Sequence, residues 1–155
     1  MIALIQRVSS ARVTVDNKTI GEINQGILVL LGVEKKDTKK QAEQLLHKVI
    51  HYRIFEDNNK KMNLSLLNSV LNDSAEASAG ELLIVPQFTL PANTNKGLRP
   101  SFTPAAPPAQ GKILYEYFIQ LAEDKLNVVE TGKFGANMQV SLTNDGPITF
   151  WLQVE

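Results

Sequence analysis

The chain has no cysteine among its 155 residues. Disulfides, thiolate nucleophiles and Cys-ligated zinc or iron–sulfur centres are therefore excluded. Histidine is nearly as scarce, with two residues, and aromatic side chains make up 6% of the sequence. That counts against an RNA-binding module built on stacked rings. Neither charge sign is in surplus, since Lys+Arg and Asp+Glu both count 16, so no basic face for neutralising many phosphates is expected. No apolar run reaches membrane-spanning length, and the first residues, Met1-Ile2-Ala3-Leu4-Ile5-Gln6-Arg7, lack the layout of a signal peptide. A cytoplasmic location is the expectation. What remains, 43% hydrophobic and 21% charged residues, is the composition of a globule, read as one domain over 1–155.

Alternation of apolar and polar residues predicts strands over 2–8 and 11–15, with Ile2, Leu4, Val13 and Val15 turned inward and Arg12 and Thr14 outward. Asp16-Asn17-Lys18 reads as a turn into a returning strand over 19–23, weakened by Gly21. The apolar run at 26–33, bounded by glycine, predicts a strand covered on both faces. Thr38 and Gln41 have capping-box spacing, and Ala42, Leu45, Leu46, Val49 and Ile50 follow at helical intervals, which predicts a helix over about 38–51. His47 and His51 share that helix four residues apart. Without a third ligand in view they read as partly exposed helix residues rather than a metal site.

Residues 56–80 are polar and poorly periodic and read as a loop excursion holding a short strand or helical turn around 64–71. The strand at 81–85 ends at Pro86, which has no N–H for its ladder. Prolines then crowd 91–108, where Lys96 and Arg99 carry the local positive charge. A second helix is predicted from about 107 to 126, burying Ile113, Leu114, Tyr117, Phe118 and Leu121 and turning Tyr115 and Glu116 outward. Strands over 128–130, 137–143 and 148–154 complete the chain. Phe150 and Trp151 take opposite faces, and Asn144-Asp145-Gly146-Pro147 forms a turn in which Asp145 makes an Asx-type bond. Strands outnumber helices without regular βαβ order. The predicted fold is α+β, a curved, mainly antiparallel sheet or barrel-like core with two main helices.

Side-chain chemistry is sparse. No Ser-His-Asp set can be assembled, and Thr89, the one hydroxyl in Gln87-Phe88-Thr89-Leu90, has no base beside it. Catalysis by backbone N–H donors is the remaining option, and Phe88 and Thr89 could provide them.

Several blocks in order carry a resemblance over nearly the whole chain: Gln6-Arg7-Val8, Leu30-Leu31-Gly32-Val33, Arg53-Ile54-Phe55, Lys61-Met62-Asn63-Leu64, Gln87-Phe88-Thr89-Leu90, Arg99-Pro100-Ser101-Phe102, Thr131-Gly132-Lys133-Phe134-Gly135-Ala136 and Asn144-Asp145-Gly146-Pro147. They resemble the D-aminoacyl-tRNA deacylases, also known as the D-tyrosyl-tRNA(Tyr) deacylase family, homodimeric editing enzymes that hydrolyse D-amino acids or glycine from mischarged tRNA. The resemblance implies a backbone-assisted reaction at Gln87, Phe88 and Thr89, aided by the vicinal hydroxyl of the terminal ribose, with no metal or other cofactor. It also implies a cis Gly146–Pro147 pair that enters the partner's active site and blocks L side chains, with Arg7 holding the motif and Asn144 supporting it. The substrate would be tRNA, gripped mainly at its charged 3′ end. Pro86 departs from the family pattern, which has serine there. A related group with relaxed chirality has Pro before Gln, whereas Arg7, Phe88 and the Asn-Asp-Gly-Pro order match the D-specific enzymes. A non-catalytic RNA-binding module is the alternative from another class.

Overall fold

The computed structural model describes residues 1–71, 77–95 and 97–155. Residues 72–76 and Lys96, with the positive charge expected of it, lie outside the described residues.

The predicted pair of N-terminal strands is one strand, β1 (Ile2–Val15). Its irregular register between Gln6 and Ser10 lets one chain change which face it buries. Ala3 and Ile5 face the helices, while Val8 within the irregular stretch and Ala11 and Val13 beyond it face a separate inner cluster. Leu4 and Val15, expected inside, are half-buried. Asp16 and Asn17, both with positive φ (49° and 61°), make the two-residue turn into β2 (Lys18–Ile23). β3 (Gly26–Gly32) is buried along nearly its whole length, as its apolar run predicts. α1 (Lys39–His51) begins at the expected cap: Thr38 Oγ1 accepts the Lys40 N–H at 3.3 Å, and Gln41 Oε1 accepts the Thr38 N–H at 3.0 Å.

Four short strands, β4 (Phe55–Glu56), β5 (Met62–Leu64), β6 (Val70–Leu71) and β7 (Ala77–Ser78), pair within the excursion and flank a 3-10 turn at Leu66–Asn68. β8 (Glu81–Pro86) follows, then α2 (Pro108–Glu123), β9 (Val129–Thr131) and β10 (Gln139–Gln153).

The main sheet runs β10-β1-β3-β8-β9, with β2 paired to the second half of β1. Antiparallel pairings surround β1, and β8 runs parallel to β3 and β9. The sheet curls until β2 approaches β9. A Cβ on Gly21 would stand 2.7 Å from Thr131 O, so glycine there marks the near-closure of the barrel rather than a weakened strand. Val8, Ala11, Val13, Ile23, Leu28, Leu83 and Val85 fill the curl. The larger core lies between the outer face and the helices, where α1 buries Ala42, Leu45, Leu46, Val49 and Ile50.

α2 is rotated from its predicted face. Gly111, Leu114, Tyr115, Phe118 and Ala122 are buried, and Ile113 is 60% exposed. The inward side includes a polar tip that an apolar count misses: Tyr115 is buried with its hydroxyl within hydrogen-bond distance of two main-chain carbonyls. Phe150 packs edge-on to Tyr52 at 5.2 Å while Trp151 is exposed, the alternation expected of them.

The N-terminal amine of Met1 is fully buried against the end of the sheet. It donates to Asp37 Oδ1 at 2.7 Å, Val154 O at 2.8 Å and Glu34 Oε2 at 2.9 Å. Asp37 also accepts the Glu34 N–H at 2.6 Å, fixing the loop beside Lys35.

Candidate active site

β8 and β3 end together. Gln87 N–H donates to Leu31 O at 2.8 Å, the last rung of their ladder, and the chain then turns through Phe88, Thr89 and Leu90. Among the described residues neither the Phe88 nor the Thr89 N–H donates to a protein acceptor, and both residues are exposed. The Gln87 amide nitrogen donates to Thr89 Oγ1, so the threonine hydroxyl is engaged from the glutamine side and has no basic partner. Phe88 is 64% exposed and leans on Phe102 at 5.2 Å between ring centres.

Gln87 and Phe88 at the start of this turn form one rim of an open cleft of about 740 Å³, lined also by Pro86, Lys35, Tyr115, Phe134 and Met138. Its walls are mostly apolar, with polar side chains from Gln87 at the turn, Lys35 and Tyr115. Such a layout suits a flat or apolar ligand body whose reactive polar centre meets the N–H pair.

The Asn144–Thr149 stretch is not a hairpin turn. Both of its flanks pair with the same strand, Thr149–Gln153 running on from where Gln139–Asn144 left off. Five steps of β10, from Asn144 to Thr149, span the two steps of β1 from Val8 to Gln6, so the intervening residues bulge outward. Gly146 and Pro147 are exposed at the tip, joined by a cis peptide. Asn144 closes the base: its Oδ1 accepts the Ile148 N–H at 3.0 Å and its Nδ2 donates to Thr149 Oγ1 at 2.9 Å. Asparagine thus makes the local bond expected of Asp145.

Asp145 instead pairs with Arg7, whose Nε lies 3.0 Å from Asp145 Oδ2, off line for a hydrogen bond but in ion-pair range. Arg7 is 6% exposed and donates through Nη1 to Ile54 O at 2.8 Å. A buried arginine on a strand otherwise reads as a surface charge. Only its pairing across the sheet reveals that it ties the bulge to the body.

The structure does not bring the two candidate sets together within one chain. Pro86 pairs with Leu31, and Leu31 with Ala3; Asn144 pairs with Val8, Val8 with Gly26, and Gly26 with Glu81. The rows differ by five residues along β8 (86 − 81) and the motif lies three strands across. At about 3.3 Å per residue and about 4.8 Å per strand, the separation is roughly 20 Å along the sheet. Neither Gly146 nor Pro147 lines the cleft.

The histidines lie elsewhere, stacked at 4.1 Å on the exposed side of α1, where His51 Nδ1 sits 2.8 Å from the His47 carbonyl. Among the described residues no group of three His, Cys, Asp or Glu side chains is placed to hold a metal, and no helix is long and apolar enough to cross a membrane.

The same curled architecture occurs in solved structures. One described as a c-Myc DNA unwinding element binding protein superposes with a TM-score of 0.88 at 37% identity, covering 100% of this chain and 99% of the other. Another, described as a probable eukaryotic D-amino acid tRNA deacylase, reaches 0.78 at 17% identity over 99% of this chain and 98% of that one, a likeness of fold alone. The fold is therefore that of the barrel-like α+β class to which these proteins belong. Residues 4–153 match the family model for D-Tyr-tRNA(Tyr) deacylase. Relatives named D-aminoacyl-tRNA deacylase include proteins of Haemophilus influenzae strain PittGG, 60% identical over 99% of this chain and 100% of the relative, and of Cupriavidus metallidurans, 57% identical over 99% and 96%. The chain belongs to the D-Tyr-tRNA(Tyr) deacylase family, and is by that membership an enzyme of the ester-hydrolase kind.

Proposed function

We propose that this protein hydrolyses the ester linking a D-amino acid, or glycine, to the 3′ end of tRNA, and spares L-aminoacyl-tRNA. The cleft receives the terminal nucleoside and presents the ester carbonyl to the Phe88 and Thr89 N–H groups. Water attacks the carbonyl carbon, the two N–H groups take the developing oxyanion, and collapse of the tetrahedral centre releases the amino acid and the ribose hydroxyl. A well-placed donor of this kind contributes roughly 3–4 kcal/mol to lowering the barrier. The vicinal ribose hydroxyl assists, and Gln87, through its contact with Thr89, holds the turn.

Selectivity is assigned to Gly146 and Pro147, acting on the active site of a second copy in a homodimer. What carries this reading is the strand order and register that set the two sets roughly 20 Å apart along the sheet of one chain, together with a motif fixed by Asn144 and Arg7 so that its tip stands in solvent. A rigid tip excludes a substituent by clash, which rejects one enantiomer without a pocket for any particular side chain. The site of action is taken to be the cytoplasm. DNA binding, named for the 37%-identical protein, is not carried over, because 16 basic and 16 acidic residues leave no surplus for it.

Single-turnover deacylation of D-Tyr-tRNA, L-Tyr-tRNA and Gly-tRNA tests the proposal. D-Tyr-tRNA and Gly-tRNA should lose their amino acid and L-Tyr-tRNA should not. Equal hydrolysis of D- and L-Tyr-tRNA would favour the relaxed-chirality reading suggested by Pro86, and binding without turnover would favour a non-catalytic RNA-binding module.

A further inference from the structure

The end of β8 has a proline where its ladder calls for a donor. Along a strand between two parallel neighbours, successive N–H groups point alternately to either side. On β8 the odd-numbered groups face β3: Glu81 N–H donates to Gln25 O at 3.1 Å and Gln87 N–H to Leu31 O at 2.8 Å. The even-numbered groups face β9, as Leu82 N–H does in donating to Val128 O at 3.1 Å. Four residues on from both partners, position 86 would donate to Gly132 O. Gly132 returns its own N–H to Ile84 O at 2.8 Å, so the strands are still in register there. Pro86 cannot donate, and Gly132 is buried.

Tyr115 reaches this place from α2. Its Oη lies 3.1 Å from Gly132 O and 2.9 Å from Ile84 O. A phenol has one proton to give. Both carbonyls lie within reach of that proton; Ile84 O already has the Gly132 N–H, and Gly132 O is the carbonyl that Pro86 leaves without a ladder donor. Burial raises the Tyr115 pKa and keeps the phenol protonated as a donor.

We propose that Tyr115 is a positioning residue for the Phe88–Thr89 turn, its hydroxyl standing in for the N–H that Pro86 lacks. This rests on the reading of those two N–H groups as the oxyanion donors. The turn is tied on the β3 side through Gln87 and Leu31; on the β9 side the tyrosine is the clamp next to it. Oxyanion donors act only when held close to the position the charge will occupy.

A double-mutant cycle in Tyr115→Phe and Pro86→Ala tests the clamp, because alanine restores an N–H aimed at Gly132 O. In the Pro86 protein, Tyr115→Phe should lower kcat on D-Tyr-tRNA about tenfold with KM within about twofold. It should also speed hydrogen exchange of the Gln87 amide. In the Pro86→Ala protein the same substitution should change both readings by less than about twofold. Equal losses in the two backgrounds, or no loss in the single variant, would overturn the proposal. The exchange measurement needs no substrate: if the unaltered protein fails to hydrolyse D-Tyr-tRNA, the functional reading falls while the exchange cycle still decides the clamp.

Discussion

Replacing Gly146 by alanine adds one carbon at the tip of the β10 bulge, where φ is +123°. An L-residue there costs about 1–3 kcal/mol in backbone strain. The new Cβ would also stand 2.7 Å from Ile148 Cγ1 and 3.1 Å from Ile148 N, the group that donates to Asn144 Oδ1. Losing that bond adds about 1 kcal/mol, for a total of about 2–4 kcal/mol if the motif holds its shape. It need not hold it fully, because the bulged residues have no backbone pairing on β1, where only the Asp145–Arg7 ion pair ties them, and Gly146 can shift without unzipping the strand. The melting temperature should therefore fall by no more than about 10 °C for a chain of this size. The chemistry should suffer more: a displaced or thickened tip either admits L substrates or obstructs D ones. The ratio of D- to L-Tyr-tRNA hydrolysis in single-turnover assays should drop at least about tenfold, equivalent to about 1.4 kcal/mol. A folded variant with an unchanged ratio would refute the assignment of this glycine to selectivity.

Thr89→Ala should keep deacylation within about tenfold, since the backbone N–H survives the substitution; a loss of several orders of magnitude in single-turnover rate would make the hydroxyl essential. Asp37→Ala leaves the buried Met1 amine with Glu34 and Val154 O alone, and thermal unfolding at pH 7 should show a loss of about 3 kcal/mol, or about 6–12 °C. Tyr115 has a raised folded-state pKa because it is buried. Its contribution to stability is complete below the ordinary tyrosine value of about 10 and is lost as pH rises beyond it. Denaturant unfolding between pH 9 and 12, at about unit intervals, should show a shallower alkaline loss in Tyr115→Phe than in the unaltered protein.

Local signals account for what the sequence made legible. The Thr38–Gln41 cap, the helical stripe behind it and the glycine-bounded β3 each depend on neighbours in the chain, and each forms as the pattern predicts. The second helix was placed but rotated, because Tyr115 buries its ring for the sake of two carbonyls on distant strands. β10 was divided for the same reason. Asn-Asp-Gly-Pro is ordinary turn vocabulary, and only the register against β1 shows that the chain bulges and continues. The roles of Asn144 and Asp145 were exchanged at short range, since either side chain could make the local bond, and Arg7, seven residues from the start, decides which one is drawn to it. The candidate site residues are named by resemblance alone. Their distance from one another is not legible in the sequence, because it depends on strand order.

The central claim is that each active site combines the Phe88–Thr89 turn of one chain with the Gly146–Pro147 tip of another. Two inactive proteins test it: one altered at Gly146 by a β-branched residue such as valine, the other at the Phe88–Thr89 turn. In a mixed dimer one composite site would carry both lesions and the other neither. Deacylation of D-Tyr-tRNA should therefore reappear on mixing and subunit exchange. If heterodimers form, as shown by mass measurement, and no activity returns, the motif serves its own subunit or the fold alone, and the account is contradicted.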